Sequence, residues 1–204
     1  MTSQIRILSK LCASLLLCGL AAHASAAGSV VLDSYGPGDA VDGWPSLLQP
    51  GQDIAIPFSL ASATSIQSLL TSIDGLGGVT VGILARQGAV PVGSNWLYSS
   101  HLTDPWANTL LTPSGWALAA GNYWLATKVD ADFAGQWQSG TDTATAHWAF
   151  TATPGAWQEV TTSFTGLPAA RITVSAVPEP SSYGLMALGA LVVGARLRRN
   201  RQQG

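Results

Sequence analysis

The chain has 204 residues, of which 47% are hydrophobic and only 10% are charged, and its formal net charge is −2. The basic residues lie mostly at the two ends, so residues 27–176 carry three basic side chains against ten acidic ones, a net charge of −7. A domain this acidic repels polyanions, and we therefore exclude nucleic acid as a partner.

The first 26 residues predict a secretory signal peptide. Arg6 and Lys10 precede an apolar helix, residues 11–22, and small residues follow at 24–26. A charged start, a short apolar segment and a small-residue cleavage site are the three parts of such a leader. We expect cleavage after Ala26, with the Sec translocon and signal peptidase as the partners of export. Both cysteines lie inside the leader, so the mature chain is expected to have no disulfide and no thiol ligand.

Residues 27–176 predict one all-β domain, large enough for a hydrophobic core. Short apolar or alternating segments are separated by Gly, Pro, Asn, Asp and Ser, and no amphipathic pattern of helical length occurs. This arrangement favours an antiparallel β-sandwich or jelly roll. The stronger predicted strands are 29–33, 53–60, 65–74, 79–86, 96–100, 121–130, 144–151 and 169–176, and the weaker ones are 116–118, 136–139 and 158–162.

Alternation along two of these strands predicts which side chains face the core. On strand 121–130, Tyr123 and Leu125 share the more apolar face, which leaves Trp124 outward or under a loop. On strand 144–151, Trp148 points opposite to His147.

The middle of the chain resembles a known kind of extracellular domain. The segments VTVGIL at 79–84 and LAAGNYWL at 118–125 carry the resemblance. Residues 51–173 are similar to the β-sandwich domains of bacterial extracellular proteins with interchangeable anchors. This resemblance implies an architecture rather than an activity.

All eight tryptophans lie in this domain. One interpretation is core packing, in which each indole buries on the order of 200 Å². The alternative is a platform on which exposed indoles stack against sugar rings. The best surface candidates are the tryptophans in turn-rich segments, namely Trp44, Trp106 and Trp137.

The acidic residues raise the question of calcium, which prefers oxygen ligands in loops. No EF-hand spacing is present, so solubilising surface acids are the better interpretation, and we expect no cofactor and no metal site. His101 and His147 stand in no metal-binding motif. The aspartates that a calcium ion would use are Asp33, Asp39, Asp42, Asp130 and Asp132.

The domain contains no catalytic signature: no nucleophile elbow, no His-Glu-x-x-His, no phosphate-binding glycine loop and no dinucleotide fingerprint. A glycosidase would need two carboxylates about 5–10 Å apart, and no spacing among the ten acids selects a pair. We therefore predict that the protein is not an enzyme.

The last 28 residues, 177–204, have three parts: a Pro-Glu-Pro motif, an apolar segment and a basic cluster. The apolar segment, 181–195, makes a helix of about 22 Å, short for a bilayer core of about 30 Å. It predicts a single short transmembrane helix, and the arginines after it place the C-terminus in the cytoplasm. The motif is Val177, Pro178, Glu179 and Pro180, and the basic stop is Arg196, Arg198, Arg199 and Arg201.

This order of parts resembles the tail of the PEP-CTERM proteins, which are exported bacterial proteins. The resemblance implies that an exosortase-type membrane protease recognises residues 177–180 and cuts near 178–181. It also implies transient anchoring, delivery to the cell surface or matrix, and a link to exopolysaccharide. A plain single-span anchor remains the alternative for the tail. For the domain, the alternatives are a carbohydrate-binding module and a glycan-active hydrolase.

Overall fold

The computed structural model describes residues 28–41, 43–93, 95–140, 147–152, 156–161 and 166–177. In the tail it describes residues 188–194, 196, 198 and 199. The predicted signal peptide and the motif residues Pro178, Glu179 and Pro180 lie outside the described residues.

The described part of residues 28–177 is built from β-strands, which confirms the predicted fold class. The predicted strand 65–74 divides into two strands, and two strands of three residues each were not predicted. The strands are β1 (Ser29–Asp33), β2 (Ser46–Leu48), β3 (Ile54–Leu60), β4 (Thr64–Thr71), β5 (Ile73–Leu76), β6 (Gly78–Ala85), β7 (Trp96–Thr103), β8 (Thr109–Leu111), β9 (Ala117–Leu118), β10 (Gly121–Val129), β11 (Ala134–Trp137), β12 (Trp148–Thr151), β13 (Trp157–Val160) and β14 (Ala170–Ala176).

Two large antiparallel sheets and one small one make up the fold. The first sheet has the order β1-β14-β4-β8, with β9 also paired to β4, and the second has the order β13-β12-β3-β10-β6-β7. Eight of these strands, β1, β3, β4, β6, β7, β8, β10 and β14, can be numbered 1 to 8 in chain order. Their orders are then 1-8-3-6 and 2-7-4-5. This is the strand order of a jelly roll, to which β12 and β13 add a hairpin at one edge.

The hydrophobic core lies between the two large sheets. Leu69 and Ile172 from the first sheet join Ile56, Val81 and Leu125 from the second in one buried cluster. The face predicted by alternation is confirmed on β10, since Tyr123 and Leu125 belong to this core. Trp148 on β12 belongs to it as well, although the sequence did not predict which face of that strand lies in the core. Trp124 belongs to a smaller cluster on the opposite face of the second sheet.

The small sheet, in the order β2-β11-β5, closes one end of the core. Trp137 on β11 points inward with Leu48 and Ile73, and none of the three is exposed to solvent. The indole Nε1–H donates a hydrogen bond of 2.9 Å to the Ala169 carbonyl. The prediction that Trp137 lies on the surface was therefore wrong. Gly135, two residues before it, is a half-buried residue of the short strand β11 rather than part of an exposed turn.

Both ends of the domain's chain meet at one end of the jelly roll. Ser29 at the start of β1 pairs with Val174 near the end of β14. We call this the tail end, and it also contains the chain reversals at 61–63 and 119–120. The opposite end, which we call the far end, contains the small sheet and the start of β14 at Ala170.

Asp53, just before β3, provides a pH-dependent contribution to stability. Burial raises the pKa of its carboxyl above the ordinary 3.8, while the Val129 N–H and Lys128 lower it. A carboxyl with a raised folded-state pKa stabilises the fold less as pH rises through that pKa. An asparagine side chain at this position could still accept the 2.8 Å hydrogen bond from the Val129 N–H.

We therefore expect Asp53→Asn to gain stability relative to the wild type as pH rises from 3.5 to 7. Urea unfolding at both pH values measures this. An equal stability difference at the two pH values would disprove the assignment.

Candidate functional site

The jelly roll ends one residue before the prolines of the predicted sorting motif. β14 pairs with β4 as far as Ala176 and Thr64. The Val177 N–H then donates a last hydrogen bond of 3.3 Å to the Ala63 carbonyl. Pro178 follows directly; its ring fixes φ and removes the N–H. The described hydrogen bonds between β14 and β4 therefore end directly before the two prolines of the motif.

The described part of the tail is helical at residues 188–194, 196, 198 and 199, and each of these residues is exposed. Its described apolar side chains are largely exposed: Leu191 is 70% exposed and Val192 is 62% exposed. Apolar surface of this kind is unfavourable in water and favourable in lipid. Arg196, Arg198 and Arg199 continue the helix, whereas Arg201 lies outside the described residues. Among the residues described, no helix is both long and apolar enough to cross a bilayer.

A comparison with protein families identifies the tail. Residues 176–199 match the PEP-CTERM protein-sorting motif. The match begins at the last residue of β14 and runs through the Pro-Glu-Pro motif, the apolar segment and three of the four arginines. The PEP-CTERM motif supports an exported protein that is processed by exosortase, a membrane protein, with transient anchoring followed by a surface location.

The jelly-roll domain has no such match. No curated protein and no solved structure matches the chain. The similarity of residues 51–173 to extracellular sandwich domains therefore stays a prediction. Any site in this domain has to be argued from its own side chains.

Two exposed tryptophans lie at the far end, on opposite sides of the small sheet. Trp44 is 79% exposed, and its carbonyl accepts a hydrogen bond of 2.7 Å from Ser139 Oγ, just beyond β11. Trp106 is 78% exposed and follows Pro105, whose carbonyl accepts a hydrogen bond from Gly75 of β5. The surface positions predicted for Trp44 and Trp106 agree with these exposures.

The outward face of the small sheet, at the same end of the fold, has further exposed apolar side chains. Leu47 on β2 is 53% exposed and Leu76 on β5 is 72% exposed. On the same face as these two leucines, Asp74 on β5 pairs with Gln136 on β11, and both side chains are half-buried. Exposed indoles can stack on a sugar ring, and a carboxylate and an amide can bind its hydroxyls. We define the far-end surface as Trp44, Leu47, Asp74, Leu76, Trp106 and Gln136.

Asp33 and Asp39, two of the aspartates considered for calcium, bind an arginine instead. Arg171 Nε lies 2.8 Å from Asp33 Oδ2, and Arg171 Nη2 lies 2.7 Å from Asp39 Oδ1. The hydrogen bond from Arg171 to Asp33 is the main cause that raises the pKa of Arg171. The guanidinium also lies over the ring of Tyr35. Burial raises the pKa of the Tyr35 hydroxyl. Asp42 lies outside the described residues.

Asp130 and Asp132 lie beside the Gly77-Gly78 turn, together with Asp104. Asp130 Oδ2 lies 2.9 Å from His101 Nε2, and Asp104 Oδ1 accepts a 2.7 Å hydrogen bond from the Gly77 N–H. Asp132 Oδ1 accepts a longer one, 3.4 Å, from Gly78. Within the described ranges, no group of three or more His, Cys, Asp or Glu is arranged to hold a metal ion. The prediction of no metal site, with calcium as the weaker alternative, stays untested.

A fourth group of side chains, on the outer face of the second sheet, was not predicted. The Arg86 guanidinium lies 4.8 Å from the centroid of the buried Trp124 ring, and His147 stacks on the same ring. His147 Nδ1 lies 3.0 Å from Glu159, and its Nε2 lies 3.2 Å from Arg86. A neutral His147 with its proton on Nδ1 satisfies both contacts. These residues cover Trp124, and only the alternation on β10 indicated its position outside the core.

Proposed function

We propose that this protein is an exosortase-sorted component of the cell surface or extracellular matrix, associated with exopolysaccharide, whose jelly roll is not an enzyme. The observation that carries the proposal is the PEP-CTERM match at residues 176–199. The leader takes the chain across the inner membrane, and the tail holds it there. Exosortase then recognises the Pro-Glu-Pro motif and separates the domain from the helix.

The geometry of the tail exit supports this sequence of events. The last described hydrogen bond of the fold, from Val177 to Ala63, holds the first residue of the motif, directly before Pro178. A protease can therefore reach the motif while the jelly roll is folded. The charged side chains support a non-enzymatic domain, because Asp33, Asp39 and Arg171 are engaged with one another.

Fractionation of native cells tests the proposal. The protein is expected in the surface or matrix fraction, released together with exopolysaccharide when that polymer is degraded. Recovery of the protein only from the inner membrane would refute the surface assignment.

A second candidate function, carbohydrate binding, is favoured by the exposure of Trp44 and Trp106. Exopolysaccharide purified from the host is the probe, and its retardation of the protein in native gels is the measurement. Trp44→Ala together with Trp106→Ala is expected to weaken binding about tenfold or more, since each aromatic contact contributes about 1 kcal/mol.

Val92→Ala, which removes an exposed apolar side chain at the tail end, is the matched control and is expected to bind like the wild type. Equal retardation of the double variant and the wild type would eliminate the far-end surface as a glycan site.

A further inference from the structure

Negative charge is concentrated at one end of the jelly roll. Asp33 pairs with Arg171 at the start of β14, and Asp53 contacts Val129 at the end of β10. The other aspartates lie in β5 or in the turns around the small sheet. In the described part of the chain, the aspartates of the domain are Asp33, Asp39, Asp53, Asp74, Asp104, Asp130 and Asp132, and all seven lie at the far end.

The tail end has no acidic residue in its described loops. Its described reversals are Ala-Ser-Ala at 61–63, Ala-Ala at 119–120 and the connection 86–93 between β6 and β7. The only charged residue in these segments is Arg86. Val92 in the connection is 67% exposed. The end from which the tail leaves is therefore free of acids throughout its described loops.

We propose that the tail end is a membrane-facing surface, which the acid distribution holds against an anionic phospholipid bilayer while the tail is still attached. The proposal rests on the anchoring role of the PEP-CTERM tail. A tether alone does not fix the orientation, because the three residues 178–180 before the apolar segment reach about 10 Å when extended and would let the domain tilt.

Electrostatic repulsion supplies the missing constraint. β14 has seven residues, which separates the two ends by roughly 20 Å. Charges that far from a surface are screened, since the Debye length is about 8 Å at physiological ionic strength. A domain lying on its side or inverted would bring its aspartates within that distance of the anionic lipids. The upright orientation is the one that avoids this repulsion.

This orientation has a consequence for recognition. The far-end surface, with Trp44 and Trp106, points away from the membrane before the tail is cut. The anchored protein therefore already presents that surface on the side of the inner membrane to which the chain is exported.

Single cysteines test the orientation directly, because the chain without its leader has none. Ala120→Cys at the tail end and Ala131→Cys at the far end both replace exposed alanines in turns. The chain with each cysteine is labelled with a fluorophore and reconstituted in phosphatidylethanolamine–phosphatidylglycerol vesicles. The vesicles contain a lipid with a spin label on its headgroup. We expect several-fold stronger quenching at position 120 than at position 131.

Two charge variants provide the control. Ala61→Asp combined with Ala63→Asp is expected to abolish the difference in quenching. In the wild type, 1 M salt is expected to abolish it too, because the repulsion that orients the domain is then screened. The neutral pair Ala61→Asn and Ala63→Asn should keep the difference.

The outcomes separate the two proposals. A chain that does not float with the vesicles would overturn tail anchoring and the orientation with it. A chain that floats but is quenched equally at both positions, or more strongly at 131, would overturn the orientation alone.

Discussion

Replacing Pro178, Glu179 and Pro180 together with alanine is expected to abolish removal of the tail. These residues match the PEP-CTERM sorting motif and follow directly on the last hydrogen bond of the folded domain. A proline has no N–H for a β-ladder and biases the residue before it towards an extended backbone, which favours binding by a protease. Alanine removes this restraint and the carboxylate. The triple variant should accumulate almost entirely in the inner membrane with its C-terminus intact.

The control is Gln202→Ala with Gln203→Ala, beyond the basic stop, which should be processed like the wild type. Both variants are compared in the native host by immunoblot with an epitope in the domain. Normal release of the triple variant would show that the prolines and the glutamate are not what the protease reads.

The largest stability effect is expected from Trp137→Ala. The indole is completely buried at the small sheet and donates a 2.9 Å hydrogen bond to the Ala169 carbonyl. Removing a buried aromatic side chain of this size costs about 3–5 kcal/mol. The Ala169 carbonyl keeps its second donor, the Ser72 N–H, so most of the loss comes from the cavity. Trp137→Phe should lose less, because its ring still fills much of that space.

Trp106→Ala is the matched control, since this indole is 78% exposed. Its removal should change the free energy of unfolding by no more than about 0.5 kcal/mol. Urea unfolding followed by circular dichroism measures all three variants. Similar losses for Trp137→Ala and Trp106→Ala would mean that Trp137 is not part of the core.

The sequence predicts the β-architecture well because period-two alternation is a local signal. The alternation of Tyr123, Trp124 and Leu125 places each side chain on its observed face of β10. The tail is equally readable, because its three parts are contiguous. Short strands gave no such signal: β2 and β8 have three residues each and are stabilised by partners distant in sequence.

The wrong prediction for Trp137 also concerns a short strand, β11, which gives no clear local signal. Neighbouring glycines indicated a turn, but Gly75 and Gly135 lie opposite each other on paired strands. A Cβ on either of them would clash with the ring of Phe133. These glycines make room for an aromatic side chain inside the fold rather than for a turn.

The grouping of the aspartates at the far end could not be predicted either. They are spread along the sequence from position 33 to position 132, and only the jelly-roll strand order brings them to one end. The same is true of Arg171 with Asp33, since the antiparallel pairing of β1 with β14 sets that contact. Topology determines both features.

Intact mass spectrometry of the protein from each compartment of the native host tests the central claim most directly. If the PEP-CTERM tail is a sorting signal, protein outside the inner membrane will begin near Ala27 and end near residues 178–181. If the protein occurs only in the inner membrane and retains Arg201 and Gly204, the tail is a plain anchor and exosortase processing is contradicted.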